Sequence, residues 1–246
     1  MISFSSFLDS IRAVHPVMMC ILIYGVCLLG YTIYRYRRDS KSGAVENKAL
    51  LHSYLGGKSK FDTERTLAES IPTSRINDIY YMTDTKAKGD ALEDLTKEIY
   101  HILGYKAKTV REMKANGELK EMKGTDQGGD VIAVLYNEKK EVVERLLIQC
   151  KAYKYLDDAG GNEAVHKTNS AKDYYEDLMG VPFDRAILIT TSPKLTVAAR
   201  DAANRLGVEI IDNDQSLDSK KIPKSKLFAL VKKANTRLYH RSLKAQ

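Results

Sequence analysis

The sequence predicts a mixed α/β domain, a central sheet flanked by helices, with one transmembrane helix ahead of it. Three observations carry that expectation. Between residues 86 and 217, short apolar runs rich in Val, Ile and Leu alternate with stretches of helical periodicity, the pattern of helices packed on a sheet. Two of those runs, 131–136 and 144–151, are separated only by polar turn material, which makes them a hairpin. Residues 16–34, PVMMCILIYGVCLLGYTIY, carry no formal charge.

The elements follow in order. Leu92, Leu95, Ile99, Ile102 and Leu103 recur at the spacing of an amphipathic helix over 90–103, and Gly104 closes it. A first strand is expected over 106–110, and the highly charged stretch 111–123 reads as a loop. Gly128-Gly129 then leads into Asp130 and the strand Val131–Tyr136. After the turn, Leu146-Leu147-Ile148 centre the second strand of the hairpin. A helix over 162–179, an apolar strand over 186–190, a helix at Val197–Leu206 and a last strand at Val208–Ile211 complete the domain.

Ahead of it, nineteen uncharged residues make a helix of roughly 28 Å, close to the ~30 Å hydrocarbon core of a bilayer. Tyr31, Tyr34 and Tyr36 gather at one end, and Arg35, Arg37 and Arg38 stop the run there. Basic flanks stay cytoplasmic, so the N-terminus is expected outside and the bulk of the chain in the cytoplasm. A signal peptide has a shorter apolar stretch, a basic start and a small-residue cleavage site, whereas Arg12 is the sole cation before this run. A core helix shows a polar face, which this run lacks. With no Asp, Glu, Lys or Arg inside it, the segment reads as a tether rather than a transport path. The expected organisation is an anchor at 1–38, a linker at 39–85 with brief helical turns at 53–55 and 67–71, a folded domain at 86–217 and a basic tail helix at 218–246.

Composition narrows the function classes. With 246 residues, 43% hydrophobic and 29% charged, the chain is long enough for a sizeable core and too apolar to be disordered. Three cysteines exclude a disulfide scaffold, and no Cys/His cluster points to zinc. The net charge of +7 is terminal: residues 1–38 hold four basic side chains against Asp9, and 218–246 hold nine against Asp218. The stretch between them is mildly acidic, with 26 basic and 30 acidic residues. In the tail, Leu227, Leu230, Val231, Ala234 and Leu238 give a basic helix one apolar stripe. Three readings of that helix stand: contact with DNA phosphates, contact with anionic lipid, or packing on the domain.

The chemistry concentrates on the hairpin. Asp130 begins one strand, and Gln149-Cys150-Lys151 ends the other. Side chains alternate along a strand, so Gln149 and Lys151 share a face and Cys150 takes the other. An acid, an amide oxygen and an ammonium at one sheet edge suit metal-assisted phosphodiester hydrolysis: hard oxygens hold Mg²⁺, which keeps waters, and the lysine stabilises charge developing on phosphate. Glu163, His166 and Lys172 on the following helix read as surface residues.

These residues resemble a known family. Gly89-x-x-Leu92-Glu93 on the first helix, Gly104-Tyr105 after it, Gly124-Thr125-Asp126-Gln127-Gly128-Gly129-Asp130, and Leu147-Ile148-Gln149-Cys150-Lys151 look like the Mrr-type restriction endonucleases, a branch of the PD-(D/E)xK nuclease fold. Ile189-Thr190-Thr191-Ser192, Ala198-Ala199, Ala202 and Ile210-Ile211-Asp212 resemble the closing strand, helix and strand of that family. The resemblance covers about residues 87–217. It implies a restriction-endonuclease-like fold, with Asp130 as the principal Mg²⁺ ligand, Gln149 as a neighbouring oxygen ligand, Lys151 as the catalytic lysine and Glu93 reaching in from the first helix. Asp126 matches a loop position of the family. Mn²⁺ is the alternative cation. Family members cleave DNA, and many carry a winged-helix recognition domain, for which this chain has no room between anchor and nuclease core.

The expectation is therefore a membrane-anchored, Mg²⁺-dependent DNA endonuclease, with restriction or defence against foreign DNA as its setting. Its partners are DNA and the lipid bilayer, with a second copy of the chain left open. The alternative is a catalytically silent, membrane-tethered module that binds nucleic acid or docks a partner.

Overall fold

The computed structural model describes residues 70–119, 122, 127–153 and 158–244. The uncharged run at 16–34, its basic flank and Asp126 lie outside these residues. Among the described residues, no helix is long and apolar enough to cross a membrane.

The described chain opens with α1 (Ser74–Tyr81) and α2 (Thr85–Ile102), then β1 (Lys106–Thr109), α3 (Val110–Ala115), β2 (Val131–Tyr136) and β3 (Val142–Lys151). It continues through α4 (Asp158–Met179), β4 (Arg185–Thr190), α5 (Val197–Leu206), β5 (Val208–Ile211) and α6 (Lys226–Lys244). The strands form one five-stranded sheet in the order β1-β2-β3-β4-β5. β1, β2 and β3 are antiparallel, while β3, β4 and β5 run parallel through the crossovers α4 and α5. This is the mixed sheet that the alternation of periods predicts.

Helices cover both faces, which is why the parallel strands read as nearly continuous apolar runs. On one face, Val131, Ala133, Leu146, Ile148, Ile187 and Ile189 pack against Leu92, Leu95 and Ile99 of α2 and Leu227 and Val231 of α6. On the other, Ile132 and Leu147 meet Val110 and Met113 of α3 and Ala171 and Tyr175 of α4. Leu188 and Ile210 on that same face meet Val165 of α4 and Ala199 and Ala202 of α5.

Three stretches depart from the sequence expectation. The linker assigned to 39–85 ends too late, because Ile71, Ile76 and Ile79 are buried in the core. Burying each such side chain contributes roughly 1.5–3 kcal/mol. Asn235 of α6 ties this stretch down at both ends of one residue: its Oδ1 accepts from the Ile71 N–H at 3.0 Å, and its Nδ2 donates to the Ile71 carbonyl at 2.9 Å. The helix α2 also starts earlier than 90, where the Asp84 carboxylate accepts the N–H groups of Lys86 and Ala87. The loop expected over 111–123 opens with α3. Thr109 and Glu112 form a reciprocal capping box there, and Lys97 pairs with Glu112 at 2.5 Å.

Candidate active site at the end of β3

The site begins where β3 outruns β2. The last β2 pairing is Val131↔Ile148, while β3 continues beside β4 to Lys151↔Thr190. The Cys150 N–H therefore has no strand partner on the β2 side, and it donates instead to Asp130 Oδ2 at 2.6 Å. The Asp130 backbone is held from both sides, its N–H on the Ile148 carbonyl at 2.9 Å and its own carbonyl accepting from Val110 at 2.8 Å. The carboxylate is thus placed by the sheet itself.

The faces alternate as the sequence implies. The Cys150 thiol turns to α2, where Sγ lies 3.4 Å from Thr96 Oγ1. Burial pushes this thiol well up from its ordinary value, the Asp130 and Glu93 carboxylates push it further, and the Thr96 hydrogen bond and the Lys151 ammonium oppose them. Asp130, Glu93 and Lys151 therefore all act electrostatically on one strand end. Gln149 turns to the other face and is fully buried. Its Oε1 lies 2.7 Å from Thr168 Oγ1 of α4, and its Nε2 has no hydrogen-bond partner. An unsatisfied buried donor costs about 1–3 kcal/mol. Lys151 is half-buried, its carbonyl accepts from Thr190 Oγ1 at 2.6 Å, and its charge reaches Glu163 on α4, whose carboxyl is held low first by Lys167.

Of the four residues singled out from the sequence, Asp130, Gln149 and Lys151 meet at the end of β3. Glu93 approaches from α2, with its side chain 18% exposed and Oε2 3.9 Å from Arg111 Nη2. Arg111 also pairs with Asp90 at 2.5 Å and Asp94 at 3.5 Å, so one cation of α3 faces three carboxylates of α2. Glu163 and His166 are exposed, and Lys172 pairs with Glu176 at 3.1 Å, so the surface reading of all three agrees with their placement.

Three neighbours escape sequence reading. Thr168 is buried against Gln149, Thr96 meets the thiol, and Tyr175 fills the space beside Gly129, where a Cβ would sit 2.4 Å from Tyr175 Cε2. A signal for Thr168 and Tyr175 exists: Ala164, Thr168, Ala171 and Tyr175 recur every three or four residues along α4, which puts a hydroxyl on the inward stripe.

The donor set fits a hard divalent cation. A carboxylate is acceptor-only, with about four lone-pair positions, and an amide supplies a second hard oxygen. Mg²⁺ is bound by one or two carboxylates and keeps several waters. Among the described residues no group of three His, Cys, Asp or Glu could hold a metal; Asp130 and Gln149 offer a sparser pair of oxygen donors. Space around that pair is reserved by backbone: a Cβ on Gly128, whose φ is +89°, would lie 2.9 Å from Gln149 Nε2.

No curated protein matches the chain. A family model does: the restriction endonuclease model Mrr_cat matches residues 85–218, from the first turn of α2 to beyond β5, and so contains every residue of the site. The chain carries a restriction endonuclease domain and belongs to the Mrr-type restriction endonuclease family.

Proposed function

We propose that the protein is a membrane-tethered DNA endonuclease that hydrolyses phosphodiester bonds with Mg²⁺, Mn²⁺ being the substitute ion, in restriction or defence against foreign DNA. The observation that carries this reading is the meeting of Asp130, Gln149 and Lys151 where β3 outruns β2, inside the stretch matched by the restriction endonuclease model. When bound, a divalent cation supplies Lewis-acid stabilisation of the phosphate and a water of lowered pKa.

The chain's own residues do the rest. Asp130, held by the Cys150 N–H, and Gln149 would supply the oxygens that hold the cation. Lys151, two residues after Gln149 on the same face, sets an ammonium beside the scissile phosphate, where its fixed charge opposes the charge that develops. Glu93, balanced by Arg111, adds a carboxylate from α2 that orients the attacking water. Exposed Lys232, Lys233, Arg237, His240 and Arg241 on α6 supply a cationic face for the phosphate backbone, and Lys233, Arg237 and Arg241 lie in one row by their four-residue spacing. The tether would be the uncharged run at 16–34, and the basic flank of Arg35, Arg37 and Arg38 favours a cytoplasmic nuclease domain.

The test is nicking of supercoiled plasmid by the purified protein with Mg²⁺ or with EDTA, using methylated and unmethylated DNA side by side. Cleavage with Mg²⁺ and none with EDTA is expected. DNA binding without cleavage under any divalent ion would favour the silent module instead.

A further inference from the structure

Thr168 holds a place that the hydrolytic reading does not assign, and its hydrogen bonds cannot all be made as the amide of Gln149 stands. Its Oγ1 lies 2.7 Å from Gln149 Oε1 and 2.7 Å from the Ala164 carbonyl. Both of those oxygens only accept, and a hydroxyl has one proton to donate. In the same pocket Gln149 Nε2, a donor with two hydrogens, has no partner at all. One change resolves both faults. A 180° turn of the amide exchanges its oxygen and nitrogen and moves nothing else. Nε2 then donates to Thr168 Oγ1, and the hydroxyl gives its proton to Ala164.

The turn also moves the oxygen. As it stands, Oε1 faces the wall of α4, where Thr168 is fully and Ala164 almost fully buried. The other end of the amide abuts Gly128, where an added Cβ would lie 2.9 Å away, on the backbone that leads two residues later into Asp130. Asp130 lies opposite Gln149 when the pairing Val131↔Ile148 is continued by one residue. The end beside Gly128 is the one turned away from Thr168, next to the backbone that leads into Asp130.

We propose that Thr168 is a positioning residue for the metal site: its hydroxyl accepts from Gln149 Nε2 and so turns Oε1 toward the Asp130 side, where it serves as an oxygen ligand for a divalent cation. This rests on the reading of Asp130 and Gln149 as that site. Without the Thr168 hydroxyl, no group of α4 holds the nitrogen end of the amide back, and the oxygen is less firmly oriented for a cation.

The experiment is Mn²⁺ titration of the full chain followed by electron paramagnetic resonance, without DNA. Thr168→Val, which keeps the shape and loses the hydroxyl, should weaken Mn²⁺ binding roughly tenfold, the usual size of an effect from a residue that orients a ligand. Thr168→Ser, which keeps the hydroxyl, should restore it. In a Gln149→Glu background the valine should have little effect, since a carboxylate offers oxygen at either end. Equal losses in both backgrounds would make Thr168 a packing residue and overturn the inference, as would wild-type affinity in a folded Thr168→Val protein. Absence of Mn²⁺ binding by the wild type that depends on Asp130 would remove the metal reading itself, and this inference with it. Should the valine variant fail to fold, the Gln149 side-chain amide nitrogen resonance of the wild type decides: it should move when Mg²⁺ is added, and an unmoved resonance overturns the assignment.

Discussion

The Cys150 N–H points at Asp130 Oδ2 across 2.6 Å, a hydrogen bond from the end of one strand of the hairpin to the carboxylate that begins the other. Charge-assisted bonds of this kind are short and strong. It gives Asp130 a structural duty beside its proposed catalytic one, and the two duties separate under substitution.

Asp130→Asn keeps an oxygen for the Cys150 N–H but loses the negative charge. Its far-ultraviolet circular dichroism and DNA gel shift should match the wild type, while plasmid nicking falls on the order of 10²–10³, the range for losing positioned charge stabilisation. Lys151→Ala should do the same. Gln149→Glu should retain activity, because it replaces one hard oxygen with another. Wild-type cleavage by a folded Asp130→Asn protein would remove Asp130 from the chemistry.

Gly129→Ala tests the packing beneath the site. The new Cβ would sit 2.4 Å from Tyr175 Cε2 and 3.1 Å from Leu147 Cδ1, and Tyr175 is a fully buried ring with nowhere to retreat. Overpacking of this kind costs typically about 1–3 kcal/mol. A lower urea midpoint is expected, and Tyr175→Phe should not relieve it, because the clashing ring carbon remains.

Alkaline stability should depend on Tyr105. Its hydroxyl donates to Glu144, which also receives Arg185 Nε at 2.9 Å, and Arg185 continues to Glu209 at 2.7 Å. Burial first, then the Glu144 hydrogen bond and charge, push the Tyr105 hydroxyl up from 10.0 to about 12. The folded state thus keeps a proton that the unfolded chain releases near pH 10. The stabilisation is fully present below that pH and is lost as pH rises towards 12. Urea midpoints measured from pH 8 to 11 should fall less steeply for Tyr105→Phe than for the wild type; parallel curves would show that Tyr105 adds nothing to the alkaline limb.

The row on α6 should be visible in salt dependence. Each phosphate neutralised contributes about 0.9 to the slope of log K against log salt on duplex DNA. Replacing Lys233, Arg237 and Arg241 by Gln should lower the slope by about one for each residue that contacts a phosphate, with no change in Mn²⁺ binding at Asp130. An unchanged slope would leave α6 a packing helix with a solvated outer face.

The anchor makes a separate prediction. Full-length protein should stay with membranes through a carbonate wash, and a chain beginning at Asp39 should not. Protease added to intact spheroplasts should spare the nuclease domain; its digestion would invert the topology.

Several elements were legible to the residue. Val131–Tyr136, Val197–Leu206 and Val208–Ile211 are uniform in period and bounded by punctuation such as Asp130, Asn137 and Gly207, and Gly207 adopts the left-handed φ of +68° that ends α5. The spacing of Asp130, Gln149 and Lys151 likewise follows from a hairpin and a two-residue alternation. Both are local, so the chain states them without help from distant residues.

What stayed hidden depends on partners far along the chain. The helix α1 has eight residues and α3 six, too short to persist alone. One is held by burial of Ile71, Ile76 and Ile79 and by Asn235, 164 positions from Ile71, the other by its capping box, buried Met113 and Lys97. Arg111 reads as one more charge in a charged stretch until α3 lays it against Asp90, Glu93 and Asp94. Gln149 announces an amide on the site face, yet an amide has an oxygen end and a nitrogen end, and its sequence position is silent on which faces Asp130. That depends on Thr168, brought beside it from the next helix by the packing of α4 on the sheet, because one hydroxyl proton cannot satisfy two acceptors.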